Sequence, residues 1–304
     1  MNSPLTISRR TAVHQFAGLM ATGWVLAEPT RVRAATARPI SKIELAIATI
    51  CTDGFGNQQH GPAFQVIPKL GFTNVEFNVW HANMLTPQYM QSIQDRCQAT
   101  GLKAISLQGT EFSPEGRTGI LKEVAHKVLL MNYAKHLGCK VVKFTGAARD
   151  TCGGLPAVIQ ICRELVSVAE QLNVFLVLEN HANNVIETIE DYDQIFSAID
   201  SPYVGMCFDM GHFEGMGIDL HQVIKRFAPK ILHVDLKDCK ARGQGHQTVP
   251  FGQGVTDFNG VLNHLVETGY QGYLVVEQAW REPKGDWQND LQAAYQRFQK
   301  WESK

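Results

Sequence analysis

From Ile43 onward, short runs of Val, Ile, Leu and Phe alternate with longer stretches in which apolar residues return every three or four positions. The short runs predict strands at 43–50, 74–80, 103–109, 140–146, 174–180, 203–209, 231–236 and 273–278. Strands this short and this apolar suit a parallel sheet covered on both faces. The intervening stretches, Thr118–Leu137 and Leu155–Leu172 among them, predict amphipathic helices. Gly71, Gly101, Gly138 and Gly269 stand where left-handed caps would close several of them. Eight strand–helix units in about 265 residues predict an α/β fold of the closed (β/α)8 TIM-barrel type, whose catalytic groups gather at the C-terminal ends of the strands. A doubly wound open sheet is the competitor, and it would place a glycine-rich phosphate loop after the first strand. The sequence there, CTDGFGNQQHG, offers Gly54 and Gly56 but no third glycine and no immediate helix start.

The first 37 residues stand apart from this pattern. Ser8-Arg9-Arg10 precedes an apolar stretch, Phe16 to Ala27, that is too short to span a bilayer, and small residues follow at Ala34, Ala35 and Ala37. An export signal of the twin-arginine type is expected, with Ala12 where a Phe is usual. Residues 38–304 then form a single barrel domain, periplasmic or secreted, with no membrane attachment after signal removal. Composition changes the picture in one respect. A net charge of -1 and a pI near 6.8 give neither a basic footprint for nucleic acid nor a polybasic membrane patch, so small-molecule chemistry is expected. The seven cysteines, at 51, 97, 139, 152, 162, 207 and 239, include no CxxC pair and read as buried free thiols, a Cys152–Cys162 pairing being left open.

Candidate chemistry sits at or near the ends of the last four strands: Glu179 in VFLVLEN, Asp209 in YVGMCFD, His233 in ILHVDLKD and Glu277 in YLVVEQ. Desolvating an unpaired carboxylate is costly, and repeating that cost argues for a shared cation. Three carboxylates and an imidazole suit a hard ion acting on oxygen substrates.

The elements LVLENH at 176–181, CFDMGH at 207–212, HVDLKD at 233–238, VPFGQGVTDF at 249–258 and GYLVVEQ at 272–278 together resemble the xylose-isomerase-like sugar isomerase and epimerase superfamily. The resemblance runs from about Lys42 to the C-terminus, and the superfamily includes ketose 3-epimerases, hydroxypyruvate isomerases and inosose dehydratases. It implies that Glu179, Asp209, His233 and Glu277 bind one divalent cation, Mn2+ first and Mg2+ or Co2+ otherwise. It also implies that His212 contacts substrate oxygens. Such a cation chelates a carbonyl and its neighbouring hydroxyl, and Glu179 and Glu277 then serve as acid and base through an enediolate.

Further substrate-contact candidates are His181, two residues beyond Glu179, together with Trp80, Lys143 and Lys237. Each has a plainer alternative. His181 could instead orient a glutamate, Trp80 could belong to a core layer, Lys143 could pair with a carboxylate such as Glu179, and Lys237, like Arg242, could be a solvated loop charge. Glu76, His81, Gln108 and Glu111 rank lower, and His60, His126, His136, His221, His246 and His264 read as structural. The leading expectation is a metal-dependent isomerase or epimerase of a ketose-like or polyhydroxylated carbonyl compound. The same site could expel a β-leaving group, giving a lyase or dehydratase of a 3-keto sugar or 3-keto glycoside. An endonuclease IV-like phosphodiesterase would need more strand-end histidines and a basic face, and four ligands argue against a non-catalytic sugar-binding barrel. A homo-oligomer fits the superfamily's habit.

Overall fold

A computed structural model describes residues 37–151, 153–280 and 282–302. The expected leader, Ala37 excepted, and Cys152 lie outside the described residues. Among these, eight parallel strands close into a barrel: β1 (Ile43–Ala48), β2 (Asn74–Asn78), β3 (Lys103–Gln108), β4 (Val141–Thr145), β5 (Phe175–Glu179), β6 (Val204–Asp209), β7 (Ile231–Leu236) and β10 (Gly272–Val276). Between the last two lies an antiparallel ribbon, β8 (Asp238–Cys239) with β9 (Thr248–Val249), which strand periodicity did not predict because each arm is two residues long. The strands follow the expected spans, with one change at the end of β1. There Ile50 opens a short helix, Ile50–Asp53, because its N–H donates to the Asn78 side chain at 2.7 Å instead of continuing the ladder.

Alternation along each strand sorts the side chains. Outward residues such as Leu176, Leu178, Phe208, Val234 and Leu274 are buried beneath the helices, whereas the inward set carries nearly all the charge. The glycine caps are present, Gly71, Gly101 and Gly138 ending their helices at φ of 96°, 73° and 78°. All six described cysteines are free and buried.

His60 anchors the loop after β1. It sits at φ 52°, directly before the helix Gly61–Leu70, with Nε2 3.0 Å from the Asn78 carbonyl and Nδ1 2.9 Å from the Tyr89 hydroxyl. Burial lowers its pKa from 6.5 to about 4, so the folded protein holds it neutral while the unfolded chain protonates it. This contribution is fully present above pH 6.5 and is lost as pH falls toward 4, a loss of roughly 3 kcal/mol. Urea unfolding of the wild type and His60→Gln between pH 7 and 4 is expected to show a shallower decline in the variant. Parallel declines would refute the assignment.

Candidate active site

Because β-strands alternate, His233, Asp235 and Lys237 share the inward face of β7 and its extension, each roughly 6–7 Å nearer the mouth than the last. The same logic turns Glu76, Lys143, Glu179, Asp209 and Glu277 inward from β2, β4, β5, β6 and the end of β10. The result is an almost water-free cluster in which Glu76, Glu179, Asp209, Asp235 and Glu277 are all at most 3% exposed. Two ammonium groups are built into it. Lys143 Nζ lies 2.6 Å from Glu76, 2.7 Å from Asp235 and 2.8 Å from Glu277, and Lys237 Nζ lies 2.6 Å from Asp209 and 3.0 Å from Glu277. Burial opposes both lysine charges, but the surrounding carboxylates outweigh it and keep both side chains protonated.

The two catalytic candidates sit in different surroundings. Burial alone would raise Glu277, yet Lys143 and Lys237 outweigh it and hold this carboxyl well below the usual range. Glu179 accepts a 3.0 Å hydrogen bond from the neutral amide of Gln108, and burial raises its pKa to about 8. Burial also raises Asp235 well above its ordinary value.

Carboxylate oxygens of Glu179, Asp209, Asp235 and Glu277 lie within 4.8 Å of one another. Five carboxylates face only two ammoniums, and Asp235 Oδ1 is buried without a hydrogen bond. This donor set fits one divalent cation. His233 stands outside it, one inward step below Asp235, with Nε2 bonded at 3.0 Å to Glu76 and no partner on Nδ1. The fourth member of the cage is therefore Asp235, which the sequence reading passed over although the two-residue period places both side chains on one face.

A cavity of about 560 Å3 opens above the cage and is lined by Glu179, Glu277, Lys237, His181 and His212, with Trp80 on the opposite side. Lys143 does not reach it: fully buried and committed to three carboxylates, it is a structural cation and not a substrate contact. Nor does it pair with Glu179. Arg242 turns away to Glu214 at 2.7 Å, while Gln108 and Glu111, ranked lower, do line the cavity.

Three imidazoles line up along one wall, His181 against His212 at 3.9 Å between centroids and His212 against His246 at 3.8 Å, each pair tilted by 38°. Burial and then Lys237 lower the pKa of all three, His246 to about 4, so neutral rings sit side by side without repulsion. Ala182 N–H points at His212 Nδ1 over 3.4 Å, which leaves the proton on Nε2. His246 was read as structural because it belongs to no motif, and its place comes from glycine packing. Gly243 and Gly245 donate to the carbonyls of Glu214 and Gly215, and a Cβ on Gly215 would meet the His246 backbone at 2.9 Å. Asp238 pins the far side of the same loop by accepting from the N–H groups of Gly252, Gly254 and Thr256.

A model of the xylose isomerase-like TIM barrel matches residues 64–299. The chain belongs to that family. Among curated members, an inosose dehydratase of Clostridium perfringens is 30% identical over 130 residues, 38% of this chain and 43% of that protein. The rhizopine catabolism protein MocC of Rhizobium meliloti is 34% identical over 134 residues, 38% of this chain and 41% of that protein. The matched segment thus spans less than half the length of either relative. Solved xylose isomerase-like barrels superpose over most of the chain. A 3-keto-D-glucoside 4-epimerase from E. coli gives a TM-score of 0.68 at 18% identity, covering 84% of this chain and 99% of that one. An IolI protein with a bound zinc atom gives 0.69 at 21%, covering 83% and 95%. At these identities the likeness is one of fold.

Lys143→Met leaves Glu76, Asp235 and Glu277 without their shared ammonium, and the expected loss of stability is about 3–5 kcal/mol. Adding Glu76→Gln to that variant should recover part of it, since one buried charge is then removed. Urea denaturation midpoints check both, and a Lys143→Met protein as stable as the wild type would overturn the role.

Proposed function

We propose that this barrel removes a proton beside the carbonyl of a keto sugar or keto polyol and expels an oxygen from the β-carbon, acting as a metal-dependent dehydratase or lyase. The observation that carries this reading is the unequal setting of the two glutamates. Glu179 faces the cavity with a neutral amide as its partner, whereas Glu277 is held between Lys143 and Lys237. One free proton carrier suits elimination on one face. Epimerisation needs a second carrier on the other face, the role first expected of Glu277. The partial matches to inosose dehydratases support the same choice.

A cation held by Glu179, Asp209, Asp235 and Glu277 would supply Lewis-acid polarisation of the carbonyl. Glu179 takes the α-proton, and the electron pair of that C–H bond forms the new double bond as the β-C–O bond breaks. The same carboxyl returns the proton to the departing oxygen, so water or an alcohol leaves and no co-reactant is consumed. Lys237, at the cavity wall, faces the negative charge that develops on the carbonyl oxygen. His212 donates through Nε2–H to a substrate oxygen, and the neighbouring imidazoles hold its ring in place. An all-oxygen donor set favours Mn2+ or Mg2+ over softer ions, and the Arg9-Arg10 leader supports a reaction carried out after export.

Asp235→Asn is expected to lower bound metal well below one equivalent while His233→Gln leaves it unchanged, as read by elemental analysis of purified protein. The reverse result would restore His233 to the ligand set. For the reaction, Mn-loaded protein is incubated in deuterated water with inososes, 3-keto glucosides and ketoses and followed by NMR. Loss of water or aglycone, abolished by Glu179→Gln, is expected; a deuterated isomer with no elimination would move the assignment to epimerisation.

A further inference from the structure

One side of the cavity differs in character from the rest. Ile50, Phe55, Trp80 and Ala279 line it with apolar surface, opposite the histidine column. Phe55 and Trp80 stack with ring centroids 5.5 Å apart and planes 20° from parallel. Trp80 also packs against the core, but Phe55 does not: it is 50% exposed, and of the exposed large hydrophobic side chains among the described residues it is the one that borders this cavity. Its position is nonetheless built. Gly54 turns the chain at φ 64° with its N–H on the Ile50 carbonyl, and the half-buried Asp53 clamps the turn by accepting from Thr52 Oγ1 and from Ala63 N–H. A pinned loop that holds a phenyl ring half in water, flat against an indole and facing a polar cage, presents a shelf for another flat ring.

We infer that Phe55 and Trp80 form a subsite for an aromatic ring carried by the substrate, so that the sugar enters as an aryl glycoside with its polyol over the cage and its aglycone on the shelf. The inference rests on the sugar-directed reading above. It concerns binding alone and can therefore be tested with ligands that undergo no reaction.

The probes are phenyl β-glucoside and methyl β-glucoside, titrated calorimetrically into Mn-loaded full-length protein. The phenyl compound is expected to bind more tightly than the methyl compound, and Phe55→Ala to weaken it by up to about tenfold, the range of a lost aromatic stacking contact. Binding of methyl β-glucoside should be unaffected, and Phe55→Tyr, which keeps the stacking face, should retain the preference. Equal affinities in the wild type, or no detectable phenyl glucoside binding, would overturn the subsite. So would an equal loss for both probes in Phe55→Ala, because the shelf would then hold the sugar ring itself. Each of those results leaves elimination by Glu179 standing, since that is read from products of keto substrates. Absence of any turnover on keto substrates, with the phenyl preference intact, would remove the reaction and keep the subsite.

Discussion

Five carboxylates converge inside a barrel that admits almost no water, and everything else about this molecule is arranged around keeping them there. Two lysine ammoniums do part of the work. Lys143 ties β2, the extension of β10 and β7 to β4 from within, a cross-brace that no hydrogen-bonded ladder could supply because the strands concerned are not all neighbours. Lys237 does the same for β6 and β10 nearer the mouth. Burial that would ordinarily discharge a lysine is outweighed by the carboxylates around it. The remaining deficit of positive charge is what gives the upper layer its appetite for a cation.

This arrangement divides the interior into two levels of different use. In the lower level Glu76 joins Ser106 and His233, accepting from Ser106 at 2.7 Å and lying 3.0 Å from His233 Nε2, while His233 Nδ1 has no partner. That level has the character of a polar foundation. The upper level, where Glu179, Glu277 and Lys237 meet the cavity, leaves Asp235 Oδ1 beneath them without a hydrogen bond. Strand alternation makes the division, since a residue two places further along a strand keeps its facing and changes its depth.

Most of the architecture was legible because it depends on local regularities: short apolar runs, helical periodicity and glycine caps each leave a mark within a few residues. Glu179, Asp209 and Glu277 were legible for the same reason, being strand-end carboxylates. His233 drew attention as the chemically more familiar ligand, and alternation alone would have pointed equally to Asp235; depth within the barrel decides between them, and depth depends on how neighbouring strands are staggered. The stagger across β6 and β7, with its irregularity between Met206 and Cys207, is a property of pairs of strands. His246 and Phe55 were illegible for a different reason. Both are carried on loops whose course is set by backbone contacts, glycine against glycine in one case and an aspartate-clamped turn in the other, and such contacts join residues distant in sequence without any periodic signal.

Asp209 has two occupations. One oxygen accepts from His212 N–H at the start of the helix Met210–Gly215 while the other meets Lys237, so the carboxylate that shapes the cage also fixes the helix bearing the central histidine of the column. Through Gly215 that helix sets the course of the ribbon loop and hence His246. A change at Asp209 would therefore be felt in the charged floor and the histidine wall together, whereas the loop after β1 reaches the same cage by a separate relay, Ile50 N–H to Asn78, Asn78 to Gln108 and Gln108 to Glu179.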